Sequence, residues 1–207
     1  MSGMPAKVWN IPEGTPRTDA SVPLHPVIEQ RWSPRALDPT ATIDGEALRA
    51  LFEAARWAPS WGNTQPARYL VGLRGDETFE RIFDTLTPGN RSWAGAAAAL
   101  VVGLVVTHDG DGKPLAYTDY GLALAVQQLA VQAVAEGWAT HQMAGFDATA
   151  LRTAFALPGT VEPRIVVAVG RPTDRAPEEL LARDARPRHR IPLSELVFTK
   201  SWGTPAF

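Results

Sequence analysis

The stretch from Tyr117 to Glu136 limits the folds open to this chain more than any other feature. It reads as one long helix, but its apolar residues do not form a stripe. Leu122, Leu124, Val126, Leu129, Val131 and Val134 circle the axis. A helix that is apolar all round has to be covered all round. In a chain of 207 residues two arrangements achieve this. The helix runs through the core of a monomer, or it packs against a second subunit. The sequence favours the second. Gly137 closes the helix as a natural left-handed cap.

Other elements follow from periodicity and punctuation. Pro23 to Trp32 reads as a short helix, and Pro34 ends it by pushing Ser33 out of the α region. Asp44 is a good N-cap for a helix over residues 45–57, with Leu48, Leu51, Phe52 and Ala55 at helical spacing. Arg68 to Leu73 reads as a strand, and Asp76 to Leu86 as a helix with Phe79, Ile82, Phe83 and Leu86 on one face. Leu100 to Val106 and Arg164 to Gly170 are β-branched runs that suit strands buried on both faces. Asp109 to Pro114 is a polar loop, and Asp147 caps a short helix to Ala156. Residues 1–22 lack periodicity and read as an N-terminal arm, and residues 23–207 as a single domain. The tail from residue 171 is rich in Arg and Pro, with a small apolar element at Leu193 to Phe198. Strands alternating with helices, plus a tail that must pack somewhere, predict an α+β or three-layer sandwich domain.

Composition removes several function classes. There is no Cys, which excludes disulfides, thiolate metal sites and Cys nucleophiles. The net charge of −2 gives no global field for nucleic acid or a membrane surface. The longest apolar run, Ala94 to Val106, is too short to span a bilayer. With no leader-like segment visible, a cytoplasmic location is expected. His25, His108, His141 and His189 lack metal-ligand spacing. No phosphate-binding glycine loop, nucleophile elbow or paired carboxylates stand out. An enzyme without these devices borrows its chemistry from a cofactor.

Three constellations could serve one. The turn from Ala58 to Pro66 carries Ser60, Asn63, Thr64 and Gln65 between two prolines, with Trp57 and Trp61 as flat apolar surface. It suits reading the edge and face of a planar heterocycle, or it is an ordinary turn after a helix. Arg31, Ser33 and Arg35 share one side of an extended segment and form an anion site, or a solvated basic turn. Arg186, Arg188 and Arg190 repeat the period near the C-terminus, and the two patterns together suggest one bound phosphate. Gln142 to Asp147 precedes a helix, and Gly145 there permits close backbone approach to a ligand.

These motifs, in this order, resemble the FMN-dependent nitroreductase family over Leu24 to Phe198: RWSPR (31–35), APSWGNTQP (58–66), Asn90 with Trp93, the long helix, AGFD (144–147), VAVGRP (167–172) and RHRIPLSELV (188–197). The resemblance implies a nitroreductase-like three-layer sandwich. Its central, mostly antiparallel sheet would be flanked by helices, in an intertwined homodimer with two FMN at the interface. Arg31, Trp32, Ser33 and Arg35 match the first FMN motif. Arg31 would meet the phosphate, and Arg35 the pyrimidine edge. Pro59, Ser60, Trp61, Asn63 and Gln65 match a loop that reaches the partner subunit's FMN. Asn90 matches a residue at the ribityl chain or ring edge. Ala144 and Gly145 match the segment whose Gly N–H approaches flavin N5. Arg188 and Arg190 match a second phosphate pair.

No protein side chain is expected to act as the catalyst, and no metal is implied. NAD(P)H and a small-molecule acceptor, nitroaromatic or quinone, would use the site in ping-pong order. The alternatives are a non-redox FMN-storage protein, a flavin reductase and a flavin-fragmenting relative. Three departures bear on substrate choice. Ala144 stands where the family often has an acid, the segment between Val106 and Tyr117 is short, and Trp61 and Trp93 are bulky enough to narrow the pocket.

Overall fold

The computed structural model describes residues 18–207. Most of the expected N-terminal arm, residues 1–17, therefore lies outside the described residues. In chain order the elements are helix α1 (Pro26–Gln30), helix α2 (Gly45–Arg56), strand β1 (Ala67–Leu73), helix α3 (Glu77–Asp84) and helix α4 (Pro88–Ala94). Strand β2 (Ala99–Val106), helix α5 (Thr118–Ala135), strand β3 (Ala139–Met143), helix α6 (Ala148–Ala154), strand β4 (Val161–Gly170) and helix α7 (Glu178–Asp184) follow. Asp44 and Asp147, read as caps, perform that role, and Asp76, read as the first residue of a helix, caps α3 in the same way. Asp44 accepts from the Ala47 amide at 2.8 Å, Asp76 from Phe79 at 2.6 Å, and Asp147 from Thr149 and Ala150 at 2.9 Å. Each is worth about 1 kcal/mol.

The four strands form one antiparallel sheet in the order β1-β2-β4-β3. The two β-branched runs are its central strands, with Val101 opposite Val167 and Ala99 opposite Val169. Because side chains alternate faces, these strands feed two cores. Ala99, Val101, Val105, Val167 and Val169 pack with Leu51, Leu122, Val126 and Leu129. Leu100, Val102, Leu104, Val166 and Ala168 pack with Phe79, Ile82, Leu86, Trp93 and Leu151. The result is the expected α+β sandwich of three layers: α2 and α5, the sheet, then α3, α4 and α6. Gly103 makes one close approach possible, since a Cβ there would lie 2.6 Å from Ile165 and 3.3 Å from Leu122 of α5.

Helix α5 is buried along Gly121, Leu122, Ala125, Val126, Leu129, Ala130, Ala133 and Val134. Leu124 and Val131 are only partly covered, and Tyr120 is 64% exposed. These three share a stripe at i, i+4 and i+11. A single chain therefore leaves one side of the all-round apolar helix uncovered.

Four elements differ from expectation. Helix α1 is shorter than Pro23 to Trp32, because Arg31 is already extended at φ −65°, ψ 123°. Strand β3 was not anticipated: Thr140, His141 and Gln142 show no apolar run, yet Thr140 and His141 are buried by their tertiary setting. Helices α4 and α7 were also missed, the first behind Gly89 and Asn90 and the second inside an Arg- and Pro-rich tail.

Candidate functional site

The backbone after α1 builds a cationic corner. Residues 31–36 run extended and are held from a distance. The Asp184 carboxylate at the end of α7 accepts the Arg35 N–H at 2.8 and 3.1 Å and the Ala36 N–H at 2.8 Å. His141 of β3 donates from Nδ1 to the Pro34 carbonyl at 3.0 Å, its ring centroid 4.5 Å from that of Trp93. Since the carbonyl can only accept, Nδ1 carries the hydrogen. Arg188 donates to the Arg31 carbonyl at 3.1 Å.

These contacts gather the guanidiniums of the two sequence motifs. Burial, then the charge of Arg190, holds Arg31 below the ordinary arginine value. Burial, then Arg31 and Arg190, does the same to Arg188. The Arg188 bond to the Arg31 carbonyl, and the charge that Arg190 exerts on both, put the three arginines within electrostatic reach. Three like charges assembled this way cost free energy that a bound anion offsets. Ser33 is exposed, and Trp32 and Arg35 are half-buried in the same segment.

A second part of the site forms where β3 runs out. The Gly145 carbonyl accepts three hydrogen bonds, from the Thr87 N–H (3.0 Å), the Thr87 hydroxyl (3.1 Å) and the Asn90 side-chain amide (2.9 Å). Three donors on one carbonyl fix the peptide plane and the direction of the neighbouring N–H groups. A Cβ at residue 145 would stand 2.7 Å from the Thr87 hydroxyl and 2.9 Å from the Asn90 amide nitrogen, so only Gly fits. Asn90 thus orients the Gly145 backbone. Ala144 is exposed beside it. His141 joins this part to the arginine corner, being two residues before Met143 and bonded to Pro34.

The turn after α2 stands apart. Ser60 accepts the Gln65 N–H at 3.0 Å, and the Gln65 side chain reaches the Asn63 carbonyl at 3.3 Å. Asn63 and Gln65 are left-handed, at φ 56° and 47°. Such backbone costs a non-Gly residue about 1–3 kcal/mol and is tolerated where function needs it. Pro59, Trp61, Asn63 and Gln65 are exposed and Ser60 half-buried. Trp61 lies 6.1 Å from Tyr117, itself left-handed at φ 57°. Behind the turn lies a groove of about 400 Å³, bordered by Phe52, Pro59, Ser60, Gln65, Tyr69 and Ala125. Burial pushes the Tyr69 hydroxyl up to about 12, and it has no partner among the described residues. Neither Arg31, Arg188 nor Gly145 borders this groove.

Sequence reasoning singled out both arginine motifs, Gly145 and the turn. It missed Asp184, His141 and Thr87, which hold them. It also set Trp93 against the pocket, but Trp93 is 3% exposed and belongs to the core below the sheet, behind His141. Its width there supports the histidine and leaves the pocket mouth untouched. The signal for Asp184 was an acid in the last turn of a helix, where the dipole disfavours negative charge.

The fold is an α+β sandwich, and its corner gathers Arg31, Arg188 and Arg190 from the two ends of the chain. The nitroreductase family model matches residues 28–92. A Streptomyces coelicolor protein with the provisional name NADH dehydrogenase/NAD(P)H nitroreductase is 30% identical over 63% of this chain and 74% of its own length. A Mycolicibacterium smegmatis protein, described only as an uncharacterized 15.4 kDa protein in the ask 5′ region, is 40% identical over 67% of this chain and 99% of its own length. The crystal structure of an oxidoreductase containing FMN superposes with a TM-score of 0.83 at 29% identity, covering 92% of this chain and 98% of that one. The chain belongs to the nitroreductase family.

Proposed function

We propose that this protein is an FMN-dependent oxidoreductase that draws hydride from NAD(P)H and reduces nitroaromatic, quinone or related small acceptors as a cytoplasmic homodimer. One observation carries the reading: Arg31 and Arg188 come together from opposite ends of the chain, the Arg188 guanidinium bonded to the Arg31 carbonyl, and the charge of Arg190 bears on both. A phosphate monoester is the anion that such a cluster fits. The glycine-only cradle at residue 145 adds a second match, since a flat ring system can approach its backbone closely. When bound, FMN supplies the two-electron redox chemistry.

This chain's residues do the rest. Arg31, Arg188 and Arg190 bind the phosphate. Arg35 faces the pyrimidine edge with its positive charge. Thr87 and Asn90 hold the Gly145 carbonyl and so fix the backbone of the cradle. The uncovered stripe Tyr120, Leu124 and Val131 is the surface a second copy would bury. Pro59, Ser60, Trp61, Asn63 and Gln65, which stand apart from their own chain's arginine corner, would then serve the partner's site. Positioning and electrostatics are all that such a protein needs to contribute.

The test is direct. Purified protein given FMN should turn yellow and should oxidise NAD(P)H faster when a nitroaromatic or quinone is added. Arg31→Ala with Arg190→Ala should remove FMN and leave the fold intact. A colourless protein after FMN addition, or wild-type affinity in the double variant, overturns the reading.

A further inference from the structure

We propose that Asp184 is a positioning residue for the phosphate end of the site: its carboxylate fixes the backbone of residues 35–36 and so sets the distance between Arg31 and the arginines at 188 and 190. The inference rests on the FMN reading above and concerns a residue outside every motif that supports it.

Four observations converge on Asp184. Its two oxygens take three hydrogen bonds, all from main-chain N–H groups of Arg35 and Ala36, at 2.8 to 3.1 Å. Its position as the last residue of α7 is electrostatically unfavourable, because the helix end is already negative. A carboxylate that bonds two amides offsets that cost. It lies four positions before Arg188, and Arg188 bonds back to the Arg31 carbonyl. Asp184 and Arg188 therefore grip the same extended strand at its two ends. Finally, the grip uses backbone only, so the side chains of Arg31, Ser33 and Arg35 are not what it holds. His141 adds a third hold in the middle, on Pro34.

Preorganised donors bind an anion better than donors that must first be ordered. Loosening the strand should therefore weaken recognition of the phosphate and leave the ring's own contacts alone. Charge alone argues the opposite way. Removing a negative group near a phosphate site should tighten phosphate binding. The sign of the effect separates positioning from simple electrostatics.

The experiment compares FMN with riboflavin, which lacks the phosphate, by fluorescence titration of the full-length protein. In Asp184→Asn one oxygen remains, and the new NH2 group faces a main-chain N–H donor to donor. FMN affinity should fall about tenfold or more, with riboflavin affinity changed less than about twofold. Asp184→Glu keeps the charge but displaces it, and should fall between the two. Melting of the apo-protein, read alongside, reports whether each variant folds; if Asp184→Asn does not, Asp184→Glu carries the comparison. Unchanged or tighter FMN binding overturns the proposal. So does an equal loss for FMN and riboflavin, which would mark Asp184 as merely structural. If the wild type itself fails to prefer FMN to riboflavin, the phosphate reading of the arginine corner falls first. If the wild type prefers FMN and both variants keep that preference, only the role of Asp184 falls.

Discussion

Residues 33–36 at the arginine corner are held by partners 107 to 149 positions away, and Arg188 reaches Arg31 across 157. Within the turn at residues 58–66 the bonds span two to five positions, and Pro66, where the turn runs into β1, accepts from the Val106 N–H. The corner is a tertiary construction with relaxed extended backbone. The turn is a local construction with strained backbone, and its side chains point outward. The difference teaches how one chain can supply two kinds of half-site. A half that must present several charges at fixed spacing is built from the whole fold. If the turn serves a second copy, as proposed, a half that reaches into a neighbour is built as a stiff, local projection.

The largest effect should come from the surface joining the two. Leu124→Glu puts a charge on the uncovered stripe of α5. If a second copy buries that stripe, burying the carboxylate costs several kcal/mol, so sedimentation should show monomers and FMN affinity should fall about a hundredfold or more. A monomeric variant that keeps FMN would mean that the turn serves its own chain or none.

Gly145→Ala sharpens the corner side. The added Cβ must displace the Thr87 hydroxyl or the Asn90 amide, and with them one or two bonds to the Gly145 carbonyl. Thermal unfolding should report a loss of about 1–3 kcal/mol. A variant as stable as the wild type would show that the cradle is looser than its distances suggest.

Asn63→Gly probes the turn side with the opposite sign. Relieving a left-handed non-Gly residue should stabilise the apo-protein by about 1 kcal/mol, or about 2–4 °C, while FMN affinity falls. If both quantities stay put, the turn is an ordinary one.

The smallest effect is a pH dependence confined to the corner. Burial, with Arg35 assisting, holds His141 below its ordinary value of 6.5, against the bonds to Pro34 and Ser33 and the charge of Asp184. A depressed folded value means that the native state prefers the neutral ring. The stability it confers is complete above 6.5 and is lost as the pH falls through that value toward the folded one. Denaturation followed from neutral to mildly acid pH should show this loss, and His141→Gln should flatten it. An identical acid slope in the variant would assign the slope to other groups.

Legibility in the sequence tracked how local each signal was. The runs Leu100 to Val106 and Arg164 to Gly170 announced themselves because both faces of those strands meet apolar layers. Strand β3 did not, because its Thr and His are buried only once Trp93 and Pro34 arrive from elsewhere. The arginines showed a period, and a shared phosphate was inferred from it. That they meet at Arg31 depends on Asp184 and α7, whose sequence EELLARD sits in a tail dominated by Arg and Pro. The turn was fully visible as chemistry, but its left-handed Asn63 and Gln65 were not, since both types also occupy unstrained turns.

The long reach of Asp184 has a consequence for synthesis. Strand β4, the last of the sheet, ends at Gly170. A nascent chain halted there already holds every strand and both cores, yet it lacks the grip on residues 35–36 and the arginines at 188 and 190. Such a fragment would pass for folded by its hydrophobic interior while being unable to carry its cargo. If the site holds FMN as proposed, ligand retention would thus be a completeness check on the chain that stability alone does not provide.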